Sequence, residues 1–155
     1  MDKIVIRKAT PDDMETLLIF EQGVIHAERP FDTTLKDDPL HYYDLPEMIR
    51  APHIELLVAV LDNEIIGSGY ARIETAKDYA KHTHHAYLGF MYTHPAYRGK
   101  GVNEKIIWAL KEWAVQQQIT EFRLEVYTNN LPAIRAYEKA GFCSYMLQMR
   151  MGLND

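Results

Sequence analysis

Arg98-Gly99-Lys100-Gly101-Val102-Asn103 is the stretch of this chain best suited to chemistry. It follows an apolar strand that ends in Tyr92-Thr93-His94-Pro95 and leads into a helix opening at Val102. Two glycines free the backbone for positive φ, and the helix start offers N–H groups without acceptors at the positive end of its dipole, about half an elementary charge. Such a cradle binds an anion, and a phosphorylated ligand is the expectation. Two other phosphate loops fail on the same letters. A nucleotide-hydrolase loop needs Ser or Thr after Gly-Lys, and Lys100 is followed by Gly101; a dinucleotide fingerprint needs a third glycine where Glu104 stands.

A second constellation lies downstream. Phe122, Leu124 and Val126 alternate with Arg123, Glu125 and Tyr127 in an expected strand ending at Thr128-Asn129-Asn130. Asn129 or Asn130 caps the next helix, Pro132 suits its first turn, and Gly141 its exit. Two helical turns take about seven residues, so Asn130 and Tyr137 share a face, with Ala133 between them adding no bulk. On these residues the chain resembles the GNAT superfamily of N-acetyltransferases, which move an acyl group from coenzyme A to an amine. Arg98, Gly101 and Asn103 match its phosphate loop, with Asn103 standing where the family has a small residue. Asn130, Ala133, Tyr137, Gly141 and Phe142 match its later motif completely.

The resemblance implies a single domain over residues 1–155, of α/β class, with a central mixed sheet of about seven strands flanked by about four helices. It implies acetyl-CoA as acyl donor, its pantetheine arm lying between splayed strands at Leu88–Tyr92 and Leu124–Tyr127. Backbone groups of Met91, Tyr92 and Thr93 would then meet the pantetheine amides and the thioester oxygen. The pyrophosphate would meet the amides of Arg98, Gly99, Lys100, Gly101, Val102 and Asn103. Asn130, with Ala133 leaving room, would reach the pantetheine or phosphate region, and Tyr137 the sulfur as general acid. A homodimer through the C-terminal strands is a further implication.

The elements that must position these residues are readable along the chain. Lys3 to Ala9 is an expected strand, and Thr10-Pro11-Asp12-Asp13 caps a helix reaching about Ala27, with Met14, Leu17, Leu18 and neighbours of Gln22 to Ile25 on its buried face. Glu28 to Asp44 reads as a long loop, whose aromatics Phe31, Tyr42 and Tyr43 suit an entry flap that sets substrate choice. A short helix follows near Leu45 to Arg50. Glu55–Leu61 and Glu64–Ile73 form a hairpin turning at Asp62-Asn63, with a bulge marked by Gly67 and Gly69; Tyr87–Tyr92 is the next strand. Cys143 to Met151 should make two short strands or one bent one.

Composition bounds the function. The 155 residues are 47% hydrophobic, enough for one core, and the formal net charge of -5 argues against a nucleic-acid partner. The chain opens Met1-Asp2-Lys3 without an apolar leader, and no apolar run approaches the roughly 20 residues of a membrane span, so a cytoplasmic protein with no membrane partner is expected. Cys143 is the only cysteine and reads as inert. His82, His84 and His85 lack matched distant ligands, so no metal is expected.

An amine attacks a thioester only when neutral, and an ammonium of pKa near 10.4 is neutral in roughly one molecule in 2,500 at pH 7, a cost of about 4.6 kcal/mol. A base must offset that. Family members often carry a glutamate on the strand before the phosphate loop, but Ala86 to Tyr92 contains no acid. Glu28, Glu74, Glu125, His84 and His85 remain the candidates. Three functions stay open: acetylation of a small-molecule amine, of a protein or peptide amine, or acyl-CoA sensing without catalysis.

Overall fold

Why the sheet begins where it does is set by a clamp between the first strand and the first helix. In the computed structural model, which describes residues 3–154, β1 (Val5–Lys8) precedes a one-turn 3-10 segment and α1 (Met14–Glu28). The Met1-Asp2 lead-in lies outside the described residues. Arg7 donates from Nη1 and Nη2 to the Asp13 carboxylate at 2.8 and 2.9 Å, and the Thr10 amide donates to it at 2.8 Å. The Arg7 hydrogen bonds hold the Asp13 carboxyl below its ordinary value of 3.8 against the upward push of burial. A depressed carboxyl stabilises the fold above that ordinary value, and the contribution disappears as pH falls through the folded value. Arg7→Ala should therefore cost about 1–2 kcal/mol at neutral pH and flatten the fall of stability below about pH 4. Urea unfolding across that range checks it, and an unchanged acid-side slope would refute the clamp.

The chain continues through α2 (Leu45–Arg50), β2 (Ile54–Leu61), β3 (Glu64–Thr75), β4 (His84–Thr93), α3 (Val102–Gln116), β5 (Phe122–Arg123) and α4 (Leu131–Lys139). It divides into two units, Met1–Glu125 and Val126–Asp155, the first holding the sheet and α1 to α3. Strand order is β1-β2-β3-β4-β5, antiparallel except for the parallel β4–β5 pair, which α3 connects. The fold is the expected mixed α/β class. Asp62 and Asn63 both have positive φ, 51° and 63°, the two-residue hairpin turn their types favour. A bulge also lies beside Gly67, where β3 inserts Ile66 opposite the Ala59–Val60 step of β2.

Five strands are present among the described residues where about seven were expected. Residues 143–151 form no strand, and the strand expected over 122–127 is confined to Phe122–Arg123. A strand exists only against a ladder partner. Among its described residues the Val126–Asp155 unit contains α4 and no strand to pair with 143–151, and β4 offers β5 just two paired positions. Apolar alternation alone does not supply the partner.

On α1 the buried positions are Leu17, Phe20, Glu21, Val24 and Ile25, one helical stripe, while Leu18, expected inside, is 40% exposed. Leu17, Phe20 and Val24 join Leu45, Met48, Leu56, Val58 and Phe90 in the core. On α3 the stripe is Val102, Ile106, Ile107, Leu110 and Ala114. Gly67 lets that helix approach β3, since a Cβ there would lie 2.7 Å from a Val102 methyl. Close approach thus brings the N-terminus of α3 against the sheet beside the end of β4.

Candidate active site

The sheet opens along one edge of β4. Its pairing with β5 is confined to Ala86–Phe122 and Tyr87–Arg123, and beyond Tyr87 that edge has no ladder partner among the described residues. Halfway along, β4 bulges: Phe90 takes a positive φ of 54°, and the buried Ser68 hydroxyl donates to its carbonyl at 3.0 Å. The bulge resets which residues face which edge. Because the His94 amide donates to Ile66 O at 2.8 Å across the β3 side, two-residue alternation turns Tyr92 toward β3 and Met91 and Thr93 toward the open edge. Two of the three expected backbone positions therefore face the opening. Tyr92 instead packs its ring on Phe20, centroids 4.8 Å apart, and over Gly23, where a Cβ would come within 2.5 Å of it.

At the end of β4 lies the glycine loop. Gly99 and Gly101 both have φ of 78°, and a Cβ built on either would meet no atom within 4 Å, so the space in front of the loop is open. Lys105 N–H to Gly101 O, 3.2 Å, closes the first turn of α3. The amides of Val102 and Asn103 precede that closure and have no intrahelical acceptor. Arg98 is tied to the end of β4. Its amide approaches Pro95 O at 3.5 Å, its Nε donates to Thr93 O at 3.2 Å, and its guanidinium carbon stands 5.8 Å from the Tyr92 ring centre. Lys100 holds its ammonium 5.7 Å from the Tyr97 ring centre. Asn103, the departure from the motif, accepts from the Thr93 hydroxyl at 3.0 Å and ties α3 to the strand. An open, cationic, amide-lined cradle of this kind fits a pyrophosphate.

In the Val126–Asp155 unit, Asn130 is the helix cap. Its Oδ1 accepts from the Ala133 amide at 3.3 Å, the cap that one of Asn129 and Asn130 was expected to supply. The Phe142 amide closes the helix end on Tyr137 O at 3.0 Å, Gly141 has φ of 111°, and the Tyr137 and Phe142 rings meet edge to face at 5.9 Å. Gly141 and Phe142 thus hold the helix end that carries Tyr137.

The sheet face beneath α1 carries a group of residues that the sequence motifs do not mark. Glu21, fully buried, accepts from the amides of Tyr42 and Tyr43 at 2.9 and 2.8 Å, and His41 Nδ1 lies 2.8 Å from its other oxygen. Three donors compensate the buried carboxylate and pin the 41–43 segment to α1. Tyr43 consequently lies against Phe90, 4.7 Å between centroids, and edge-on to Tyr70 at 6.0 Å. Burial pushes the Tyr43 and Tyr87 phenols far above their ordinary value, so both remain protonated. Glu21 had one sequence signal: a carboxylate inside an apolar helical stripe.

Of the expected bases, Glu74 is engaged by Arg72 at 2.7 Å and His85 at 3.2 Å. Exposed Glu125 accepts from the Tyr87 hydroxyl at 3.0 Å, and exposed His84 sits 3.1 Å from its neighbour Thr83. Half-buried Glu28 accepts from the Tyr42 hydroxyl at 2.8 Å, and burial raises its carboxyl above the ordinary value of 4.5. Among the described residues, no group of three His, Cys, Asp or Glu side chains is placed to hold a metal ion, and no helix is long and apolar enough to cross a membrane.

The mixed sheet, with its partly unpaired β4 edge beside a glycine loop, has the GNAT fold. The acetyltransferase (GNAT) family matches the chain over residues 20–142, and the chain belongs to it. It is 39% identical over 87 residues to the streptothricin acetyltransferase of Escherichia coli, a match covering 54% of this chain and 44% of that protein. It thus spans less than half the length of that relative. With the N-alpha-acetyltransferase of Saccharolobus solfataricus it shares 25% identity over 145 residues, 88% of this chain and 78% of that one. A predicted acetyltransferase from Clostridium acetobutylicum, solved with acetyl-CoA, superimposes with a TM-score of 0.73 over 97% of each chain at 19% identity, a likeness of fold.

Proposed function

We propose that this protein transfers an acetyl group from acetyl-CoA to the primary amine of a small molecule by direct attack of the amine on the thioester. The observation that carries this reading is the continuity of the open β4 edge with the glycine loop, joined through Thr93, which touches both Arg98 and Asn103. The donor supplies the activated acetyl carbonyl. The amides of Val102 and Asn103, with those of the glycine loop and the charges of Arg98 and Lys100, hold its pyrophosphate. Met91 and Thr93 present strand-edge groups to its pantetheine amides, as an added strand is held. Tyr137 protonates the leaving sulfur. The identity shared with the streptothricin enzyme favours a small-molecule acceptor.

Calorimetry with acetyl-CoA, followed by thiol release across an amine library, tests the function. Binding without turnover on any amine would leave a sensor, and turnover of peptide N-termini alone would favour the activity for which the Saccharolobus relative is named. Thiols of pKa near 8.5 already leave fairly well and a phenol near 10 is a weak acid toward them. Tyr137→Phe is therefore expected to lower kcat by about tenfold to a few hundredfold. Single-turnover rates that do not change would remove Tyr137 from its role.

A further inference from the structure

The proposed reaction must strip a proton from an ammonium, and the strand before the phosphate loop carries no acid. Glu28 ends α1, which crosses β4 at Gly23 and Tyr92. From Glu28 a continuous set of contacts runs to the β4 bulge: its carboxylate to the Tyr42 hydroxyl at 2.8 Å, Tyr42 to Tyr43 at 5.7 Å between rings, and Tyr43 to Phe90 at 4.7 Å. Glu21 fixes that set by holding the amides of Tyr42 and Tyr43. We propose that Glu28 is the catalytic base that receives the acceptor's ammonium proton, in a mouth formed by the end of α1 and the Tyr42-Tyr43 segment. The inference rests on the amine-acetylation reading above.

Competing groups are otherwise committed or solvated. Arg72 and His85 hold Glu74, and Glu125 and His84 are exposed. Around Glu28 stand the phenols of Tyr42 and Tyr43 from the loop and the Asp32 carboxylate beyond the helix end. The neighbouring Arg29 turns away, donating to Lys36 O and Asp38 at 2.9 and 2.7 Å. Burial and Asp32 raise the Glu28 carboxyl, and the Tyr42 hydrogen bond partly offsets them. A raised carboxyl is a stronger base, which matches it to an ammonium better than an ordinary glutamate.

The protons balance. Glu28 takes one ammonium proton, and the freed lone pair forms the C–N bond as the C–S bond breaks with its pair on sulfur. The surplus nitrogen proton ends on sulfur by way of Tyr137. Glu28 then returns its own to water.

Two measurements test this. Carbon-13 titration of glutamate-labelled protein without ligand should show one carboxyl above the ordinary glutamate range, absent in Glu28→Gln and raised further in Tyr42→Phe. In the kinetic arm, Glu28→Gln should lower kcat/KM at pH 7 by about a hundredfold. Its log(kcat/KM) should climb by about one per pH unit toward the amine pKa, because only free amine then reacts, whereas the wild type levels off above the Glu28 value. A Glu28 carboxyl in the ordinary range, or a variant profile parallel to the wild type, overturns the base assignment while acetylation stands. Failure of the wild type to acetylate any amine removes the function and this inference together.

Discussion

Gly101→Glu is expected to weaken coenzyme binding by at least roughly a thousandfold. Gly101 has φ of 78° and nothing within 4 Å of where its Cβ would stand, the room a phosphate needs. A glutamate there fills that room, takes a left-handed conformation costing about 1–2 kcal/mol, and sets a negative charge against the diphosphate. Two like charges at about 4 Å repel by about 4 kcal/mol at an effective dielectric of 20, which alone supplies the thousandfold. Gly101→Asn separates the causes, because asparagine tolerates positive φ and adds no charge. Calorimetry should rank the affinities wild type, Asn, Glu. Equal affinity in the glutamate variant would place the pyrophosphate elsewhere.

Glu21→Ala should destabilise the protein by about 3–5 kcal/mol, since each of two buried amide donors left without an acceptor costs roughly 1–3 kcal/mol and the void adds to it. The truncation strands the Tyr42 and Tyr43 amides, which now donate at 2.9 and 2.8 Å, and leaves a void under α1. At about 2–4 °C per kcal/mol for a chain of this length, the melting temperature should fall by roughly 6–20 °C. Glu21→Gln keeps one carbonyl acceptor for the two amides and loses the second carboxylate oxygen, so it should fall between. The comparison is made by urea unfolding without ligand. A loss in Glu21→Ala below about 1 kcal/mol would mean that the 41–43 segment is held by its aromatic packing, not by the carboxylate.

The hairpin at Asp62-Asn63, the glycines of the loop and the α4 cap at Asn130 were legible because each is decided within a few residues: left-handed φ favours Asn, Asp and Gly, and a cap needs one side-chain oxygen three residues from an amide. The family likewise rested on local motifs, 98–103 and 130–142. What escaped was whatever depends on a distant partner. Leu18 shares its apolar character with Leu17 but faces outward, since only the packing of α1 on the sheet chooses the stripe. The segment 143–151 forms no strand, because a strand needs a ladder partner and its own unit supplies none among the described residues.

By itself, then, the order of residues determined the class of fold, the family, the glycine loop and the absence of an acid on β4. Tertiary structure decided which backbone groups of Met91 to Thr93 face the opening, through a bulge at Phe90 that periodicity does not reveal. It also decided that Glu21 holds the Tyr42-Tyr43 segment and that Glu28 stands half-buried at its edge. Burial and hydrogen-bond partnership arise between residues up to 22 positions apart or more, as between Glu21 and Tyr43 or Ser68 and Phe90, and no local spacing encodes them.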